Sequence, residues 1–118
     1  MSTEWSDTIV VADLADEPAL SDELNVLIER AVSEPDDRVP HVVLNMGQVS
    51  YLNSSNIAQL LKLRGRLQEC ERSLRLCSVA DAVWTLILAT GLDKIFQFAP
   101  DPMTALAGLQ LEEAEGER

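Results

Sequence analysis

The sequence has few basic residues, few histidines and few cysteines, and each shortage excludes a class of function. Nine Lys and Arg residues against 20 Asp and Glu residues give a formal net charge of −11. Nucleic acids and anionic membranes would repel such a chain, so binding to either surface is not expected. The two cysteines, Cys70 and Cys77, are too few for a disulfide framework, and the lone histidine adds no metal-binding cluster. We therefore expect two buried free thiols and no metal site.

Long apolar runs and glycine-rich phosphate loops are also missing. No run reaches the roughly 18 apolar residues that suggest a membrane span, and the first residues, MSTEWSDT, are acidic where a secretion signal is basic. Only five glycines occur and no GKS or GKT is present, so nucleotide binding is not expected. His41 has no neighbouring catalytic motif and is interpreted as structural. The sequence thus predicts a cytoplasmic protein that is not an enzyme, needs no cofactor and does not insert into a membrane.

Short apolar runs alternate with helical patterns along the chain. The runs at 8–12, 41–46, 74–79 and 95–98 are predicted strands because they are short and rich in apolar and β-branched residues. Apolar residues recur at helical spacing between them, and a last helix is predicted from Met103 to Leu109 or Leu111. This alternation predicts an α/β fold with a mainly parallel four- to five-stranded sheet, right-handed crossovers and covering helices.

The length and composition predict one domain spanning residues 1–118. With 118 residues, 47% of them hydrophobic, the chain can build a single core, expected over about residues 8–111. The acidic tail 112–118 has nothing to bury and is expected to fray. Residues 13–22 are acidic and contain Pro18, so they are predicted to form a loop before a helix capped by Ser21. Gly91 is placed to end the third helix in the left-handed conformation.

The stretch 51–57, YLNSSNI, joins the predicted central strand at 41–46 to the longest helical pattern, at 57–70. Asn and Ser side chains accept hydrogen bonds from the free N–H groups of a helix's first turn, so a helix is expected to begin here. The candidate caps are Asn56, which could form a capping box with Gln59, and alternatively Asn53 or Ser54. Partner and ligand sites of parallel sheets lie beyond the C-terminal ends of their strands. The adjacent serines Ser54 and Ser55 can therefore be caps or functional groups.

The helix after this corner is predicted to bury one stripe and to expose a basic side. The buried stripe comprises Ile57, Leu60, Leu61, Leu63 and Leu67. Five of the nine basic residues lie between this helix and the next strand: Lys62, Arg64, Arg66, Arg72 and Arg75. Such a cluster is either an ordinary solvated face or a surface that contacts a partner.

Two segments resemble the STAS domain, the fold of bacterial anti-sigma factor antagonists. The run LNMGQVSYLNSSNIAQLLKLRGRL is similar to the family's strand, hydrophobic-Asp-Ser-Ser/Thr-Gly motif and helix. The run RLCSVADAVWTLILATGLDKIFQFAPDPMTALAGL resembles the family's ending of strand, helix, TGLDKIF, strand and short helix. Its most specific piece is TGLDKIF, from Thr90 to Phe96. The resemblance covers about residues 8–111.

This resemblance implies a phosphorylation switch. Family members of this kind bind an anti-sigma factor that is also a serine kinase, which frees the sigma factor for transcription. The kinase can phosphorylate a motif serine, and a phosphatase reverses the modification. By position the acceptor is Ser55, with its neighbour Ser54 as the fallback. The expected partner-binding residues are Asn53, Ser54, Ser55, Asn56, Gln59 and Lys62.

Two positions depart from the family motif. Asn53 stands where the motif has Asp, and Asn56 stands where it has Gly. The first change removes a charge that a kinase could recognise, and the second places a side chain where a kinase must approach. These changes suit an alternative function, in which a STAS subunit docks on the ATPase of a lipid-transport complex and needs no phosphorylation.

Overall fold

Five strands form one sheet, in the order β1-β2-β3-β4-β5, in the computed structural model of the chain. The structure describes the backbone of residues 2–5 and 8–116 and the side chains of residues 8–111. The strands are β1 (Ser2–Trp5), β2 (Ile9–Ala15), β3 (His41–Gln48), β4 (Leu74–Cys77) and β5 (Gln97–Ala99). Strands β2 to β5 are parallel, which confirms the predicted sheet, and β1 pairs antiparallel with β2. Strand β1 was not predicted, because its polar sequence lacks an apolar run.

In the described part of the chain, four helices cover the two faces of this sheet. They are α1 (Ala19–Ser33), α2 (Ser54–Glu69), α3 (Asp81–Thr90) and α4 (Pro102–Gly116). The larger core cluster contains buried residues of α1, α2 and α3, which pack on one face of the sheet. Helix α4 packs on the other face, where Ala105 and Leu109 meet Ile9, Val43 and Cys77. The main core therefore lies directly beneath α1 and α2. These two helices border residues 51–57, which we call the serine corner.

The loop predicted at 13–22 is much shorter in the structure. Strand β2 continues to Ala15, because Asp13 pairs with Asn45 in the parallel register with β3. The Asn45 amide also donates to the Asp13 carboxylate at 2.9 Å. Helix α1 begins at Ala19, so the expected cap Ser21 lies inside its first turn. The β2–α1 connection is thus a tight turn of residues 16–18.

The two C-terminal elements also differ from the prediction. Residues 95 and 96 belong to the turn after the short helical segment Leu92–Lys94, since the Phe96 N–H donates to the Leu92 carbonyl at 3.0 Å, and β5 begins only at Gln97. Helix α4 runs to Gly116, so the backbone of the tail is helical further than expected. Residues 117 and 118 lie outside the described part. Gly91 ends α3 with φ of 75°, as predicted.

Most predicted core residues are buried, with exceptions at the edges of the helical stripes. Leu61 was predicted to lie in the buried stripe of the helix after residues 51–57, yet it is exposed. Cys70 and Cys77 are buried free thiols, which confirms that prediction. His41 has a structural contact, because its Nδ1 accepts a hydrogen bond from the Ser73 N–H at 2.8 Å.

Candidate partner-binding site

The serine corner lies at the C-terminal end of β3, where the sequence predicted it. After β3 the chain turns through residues 49–53, anchored by the buried side chains of Val49 and Leu52. Tyr51, between these anchors, is directed outward and is 66% exposed. Helix α2 then begins at Ser54. The corner therefore combines a fixed backbone with exposed side chains, which is suitable for recognition.

The cap of α2 is a reciprocal pair of asparagines. The Asn53 side chain accepts a hydrogen bond from the Asn56 N–H at 2.8 Å, and the Asn56 side chain accepts one from the Asn53 N–H at 3.0 Å. The two residues form a capping box, with Asn53 as the N-cap. The predictions that Asn56 or Ser54 is the N-cap are therefore wrong. The Gln59 side chain instead accepts from the Asn56 amide at 3.4 Å.

Because the asparagines cap the helix, the two serines are not needed for capping. Ser54 and Ser55 occupy the first two positions of α2 and are both exposed. Within residues 8–111, neither hydroxyl has a hydrogen-bond partner. Both hydroxyls are therefore accessible, and removing either one should leave the fold intact.

Asn56 is buried, although it was predicted to contact a partner. Its side chain is completely buried, and its amide group points toward Ser21 and Gln59, at 3.5 Å and 3.4 Å. The expectation that a side chain at this position would obstruct a kinase is therefore wrong, because the side chain faces the interior. Asn56 can shape the corner, but it offers no surface to a partner.

A polar network joins the start of α1 to the start of α2. The Gln59 amide donates to the Ser21 carbonyl and to the Asn25 side chain, both at 2.9 Å. The Ser21 hydroxyl and N–H donate to the Glu17 carboxylate, each at 2.6 Å. Hydrogen bonds from Ser21, with smaller contributions from Asn53 and Asn56, lower the pKa of Glu17. A negative charge therefore stands beside the α2 cap, and Gln59 fixes the spacing of the two helices.

A second carboxylate fixes the loop before the corner. Asp16, in the β2–α1 turn, accepts hydrogen bonds from the Ser50 hydroxyl at 2.6 Å and from the Ser50 N–H at 2.8 Å. These bonds, with the Ser50 hydroxyl contributing most, lower the pKa of Asp16. Since Ser50 directly precedes Tyr51, this contact holds the loop that displays the tyrosine ring.

The exposed residues of the corner continue along one side of α2. We call this surface the recognition strip, and it comprises Tyr51, Ser54, Ser55, Ala58, Leu61 and Lys62. Spacings of three, four and seven residues place the helical members on one side of α2. Leu61 is 39% exposed and, with Tyr51, gives the strip two large apolar contacts. Neither residue was predicted as a contact, although a helical wheel drawn from the serines would have placed Leu61 beside them.

The expected basic face of α2 is largely engaged in structural contacts. Arg64 donates to the Ile95 carbonyl at 3.1 Å. Arg66 donates to the Ala31 carbonyl at 2.8 Å and forms a salt bridge with Asp36 at 3.0 Å. These arginines connect α2 to neighbouring segments, so they are not simply a solvated face. Lys62 is exposed on the strip, as a partner contact requires.

Two other kinds of site are absent from the described residues. Among residues 8–111 no group of three or more His, Cys, Asp or Glu side chains is arranged to hold a metal ion. No helix in the described part of the chain is long and apolar enough to cross a membrane.

Comparison with known proteins places this geometry in a family. The STAS domain family model matches residues 12–105. An anti-sigma-factor antagonist (STAS) domain protein from Planctomyces limnophilus has a similar structure, with a TM-score of 0.77 at 16% identity, over 92% of this chain and 97% of that one. A serine-to-glutamate variant of RsbS from Moorella thermoacetica gives a TM-score of 0.76 at 13% identity, over 96% and 97% of the two chains.

A protein of a different kind has the same fold. A sulfate transporter family protein from Wolinella succinogenes gives a TM-score of 0.67 at 16% identity, over 88% of this chain and 84% of that one. At these identities the similarity is one of fold. Because the family match spans residues 12–105, most of the chain, the protein belongs to the STAS domain family.

Proposed function

We propose that this STAS domain is an anti-sigma factor antagonist controlled by phosphorylation of Ser55. In its unphosphorylated form it binds an anti-sigma factor with serine kinase activity through the recognition strip, in the cytoplasm. This binding releases a sigma factor for transcription. The kinase phosphorylates Ser55 and ends the interaction, and a phosphatase restores it.

The observation that carries this proposal is the accessible Ser55 hydroxyl. Ser55 is exposed at the first turn of α2, while Asn53 and Asn56 form the cap. A serine in this position is available to a kinase without any opening of the fold. Ser54 is also exposed and remains the fallback acceptor.

The chemistry of the corner supports a switch that does not refold the domain. Phosphorylation adds roughly −1.5 to −2 charge and three acceptor oxygens. The N-terminus of a helix tolerates an anion because its free N–H groups and its dipole favour negative charge. The phosphate would nevertheless stand in the middle of the recognition strip, between Tyr51 and Leu61. Its bulk and hydration would block a partner that packs against these two side chains.

The other predicted contact residues have unequal parts in this proposal. Lys62 is exposed and can pair with an acidic group of the partner. Asn53 and Gln59 are half-buried and act mainly by holding the cap and the α1–α2 spacing. Asn56 acts only through the cap, because it is buried.

Mass spectrometry of the protein purified from its own cells tests the acceptor. We expect a phosphorylated fraction whose phosphate maps to Ser55. That fraction should disappear in Ser55→Ala and persist in the matched variant Ser54→Ala. A phosphate confined to another residue, or its absence under both growth and stress, would contradict the proposal.

Binding measurements with the captured partner test the switch itself. The partner retained by the wild-type protein should be identified as an anti-sigma factor kinase. Ser55→Asp should weaken its binding, because the carboxylate places charge within the contact, while Ser55→Ala should bind like the wild type. Equal binding by Ser55→Asp and Ser55→Ala would contradict a switch at Ser55.

A second candidate function is docking on a transport protein. Similarity to the sulfate transporter family protein favours this alternative, because a protein of a transporter family has the same fold. The ATPase of a lipid-transport complex is the partner that the sequence suggested. In this case Ser55 would carry no phosphate in cells, and the identified partner would be a transport ATPase.

A further inference from the structure

A polar cleft lies at the opposite end of α2 from the serine corner. It has a volume of about 160 Å³ and opens between the C-terminal half of α2, the turn into β4 and the segment before β5. Its polar lining comes from Arg64, Gln68, Arg72, Ser73 and Gln97. A cavity of about 150 Å³ can hold a molecule the size of benzene. The cleft is therefore large enough for a small organic ligand or an inorganic ion.

The charge of this cleft is opposite to that of the whole chain. Two arginines line it and no carboxylate does, although acidic residues outnumber basic ones by 20 to nine in the sequence. Among the described residues, neither Arg64 nor Arg72 forms a salt bridge, whereas Arg66 pairs with Asp36 at 3.0 Å. The cleft therefore carries positive charge that no described carboxylate pairs with directly.

Arg64 is held in place by uncharged groups. Its Nε donates to the Ile95 carbonyl at 3.1 Å, and its Nη1 donates to the Gln68 side chain at 3.2 Å. These bonds hold the guanidinium in the wall of the cleft and use its Nε and Nη1, while its Nη2 donates to no group among the described residues and is left for a ligand. Arg72 is held by three backbone carbonyls, since its Nε donates to Val39 at 2.6 Å, its Nη1 to Cys70 at 3.1 Å and its Nη2 to Asp37 at 3.3 Å. The bond to Cys70 also offsets the negative end of the α2 dipole.

We infer that this cleft binds an oxyanion, a phosphate or carboxylate group of a small molecule, with Arg64 as its principal ligand. A guanidinium recognises such groups through paired, charge-assisted hydrogen bonds. The amides of Gln68 and Gln97 can provide additional donors at the rim. This site is separate from the recognition strip and does not depend on the proposed antagonist function.

Amide NMR of the intact protein tests this site. Sodium phosphate and sodium succinate are titrated separately at constant ionic strength, and backbone amides of residues 68, 95 and 97 are followed. We expect shifts that saturate with at least one of the two anions. Saturation with phosphate alone would identify a phosphorylated ligand, and saturation with succinate would identify a carboxylate ligand.

Three variants separate a specific site from general attraction. Arg64→Gln should weaken binding about tenfold or more, the effect expected from losing charge-assisted hydrogen bonds. Gln68→Glu keeps Arg64 but gives it a carboxylate partner, and should weaken binding similarly. Lys62→Gln removes an exposed charge from the same helix outside the cleft and should leave the affinity unchanged.

Three results would overturn the inference. They are shifts that never saturate in the wild-type protein, an unchanged affinity in Arg64→Gln, and an equal loss of affinity in Lys62→Gln. The amide spectrum of each variant at the α2 cap reports whether its fold is retained. If Arg64→Gln is misfolded, Gln68→Glu alone decides, and unchanged anion affinity in that variant would also overturn the inference.

Discussion

Asn53 and Asn56 cap each other's backbone at the start of α2. Their side-chain oxygens accept from the opposite N–H groups at 2.8 Å and 3.0 Å. Each asparagine replaces a different residue of the STAS motif, Asp in one case and Gly in the other. The reciprocal bonds indicate that these two departures act as a pair, and the pair leaves Ser54 and Ser55 exposed between its members.

The cap makes a direct prediction about stability. Asn53→Ala should lower the free energy of unfolding by about 1 kcal/mol, because the Asn56 N–H loses its acceptor. Ser54→Ala should change it by about 0.5 kcal/mol or less, since the hydroxyl makes no bond within residues 8–111. Urea denaturation of both variants checks this. An equal loss in Ser54→Ala would mean that the serine participates in the cap.

Two leucines of α2 should respond differently to truncation. Leu63 is fully buried, so Leu63→Ala should cost about 2–5 kcal/mol of stability by leaving a cavity. Leu61 is 39% exposed, so Leu61→Ala should cost about 1 kcal/mol or less. Leu61→Ala should instead weaken partner binding. Denaturation and binding are measured on the same samples, and unchanged binding would remove Leu61 from the recognition strip.

The contact between Asp16 and Ser50 predicts a dependence of stability on pH. Hydrogen bonds from Ser50 hold the pKa of Asp16 below its ordinary value of 3.8. The ionised carboxylate therefore stabilises the fold above pH 3.8, and this contribution is lost as the pH falls through the lower pKa of the folded state. The difference in free energy of unfolding between wild type and Asp16→Asn should narrow as the pH falls from about 5 to below the pKa of Asp16 in the folded protein.

Urea denaturation across this pH range measures the difference. Ser50→Ala is the matched variant, because it keeps the carboxylate and removes its hydroxyl donor. The loss of unfolding free energy that Asp16 causes on acidification should be smaller in Ser50→Ala than in the wild type. If the free energy of unfolding falls by the same amount in wild type and in Asp16→Asn as the pH is lowered, this account is contradicted.

Cys77 should be unreactive until the protein unfolds. Burial raises the pKa of its thiol to about 11, and the charges of Asp101 and Asp13 contribute in the same direction. The reactive thiolate is therefore scarce near neutral pH, and the sulfur is also inaccessible. In a Cys70→Ser background, a thiol reagent should label Cys77 slowly in buffer and rapidly in urea. Rapid labelling of the folded protein would contradict the burial of this side chain.

The sequence alone predicted the parallel sheet and the position of the serine corner. Apolar runs for strands and helical spacing for helices are local patterns, so β2 to β5 and the four helices could be located from them. Gly91 was also predictable, because glycine readily adopts a positive φ at a helix end. Strand β1 could not be predicted, since its polar residues show no apolar pattern and its pairing with β2 is a contact between segments.

Only the tertiary structure decided which corner residues are exposed. Sequence spacing grouped Leu61 with the buried leucines, but the packing of α2 on α1 and the sheet leaves it exposed at the edge of the stripe. Asn56 was predicted as a contact residue, yet it is buried where it bonds with Asn53 and with Ser21 of α1. The chain by itself determined the fold and where the serines lie. Contacts between distant segments decided which side chains a partner can reach, because burial depends on neighbours that local sequence does not specify.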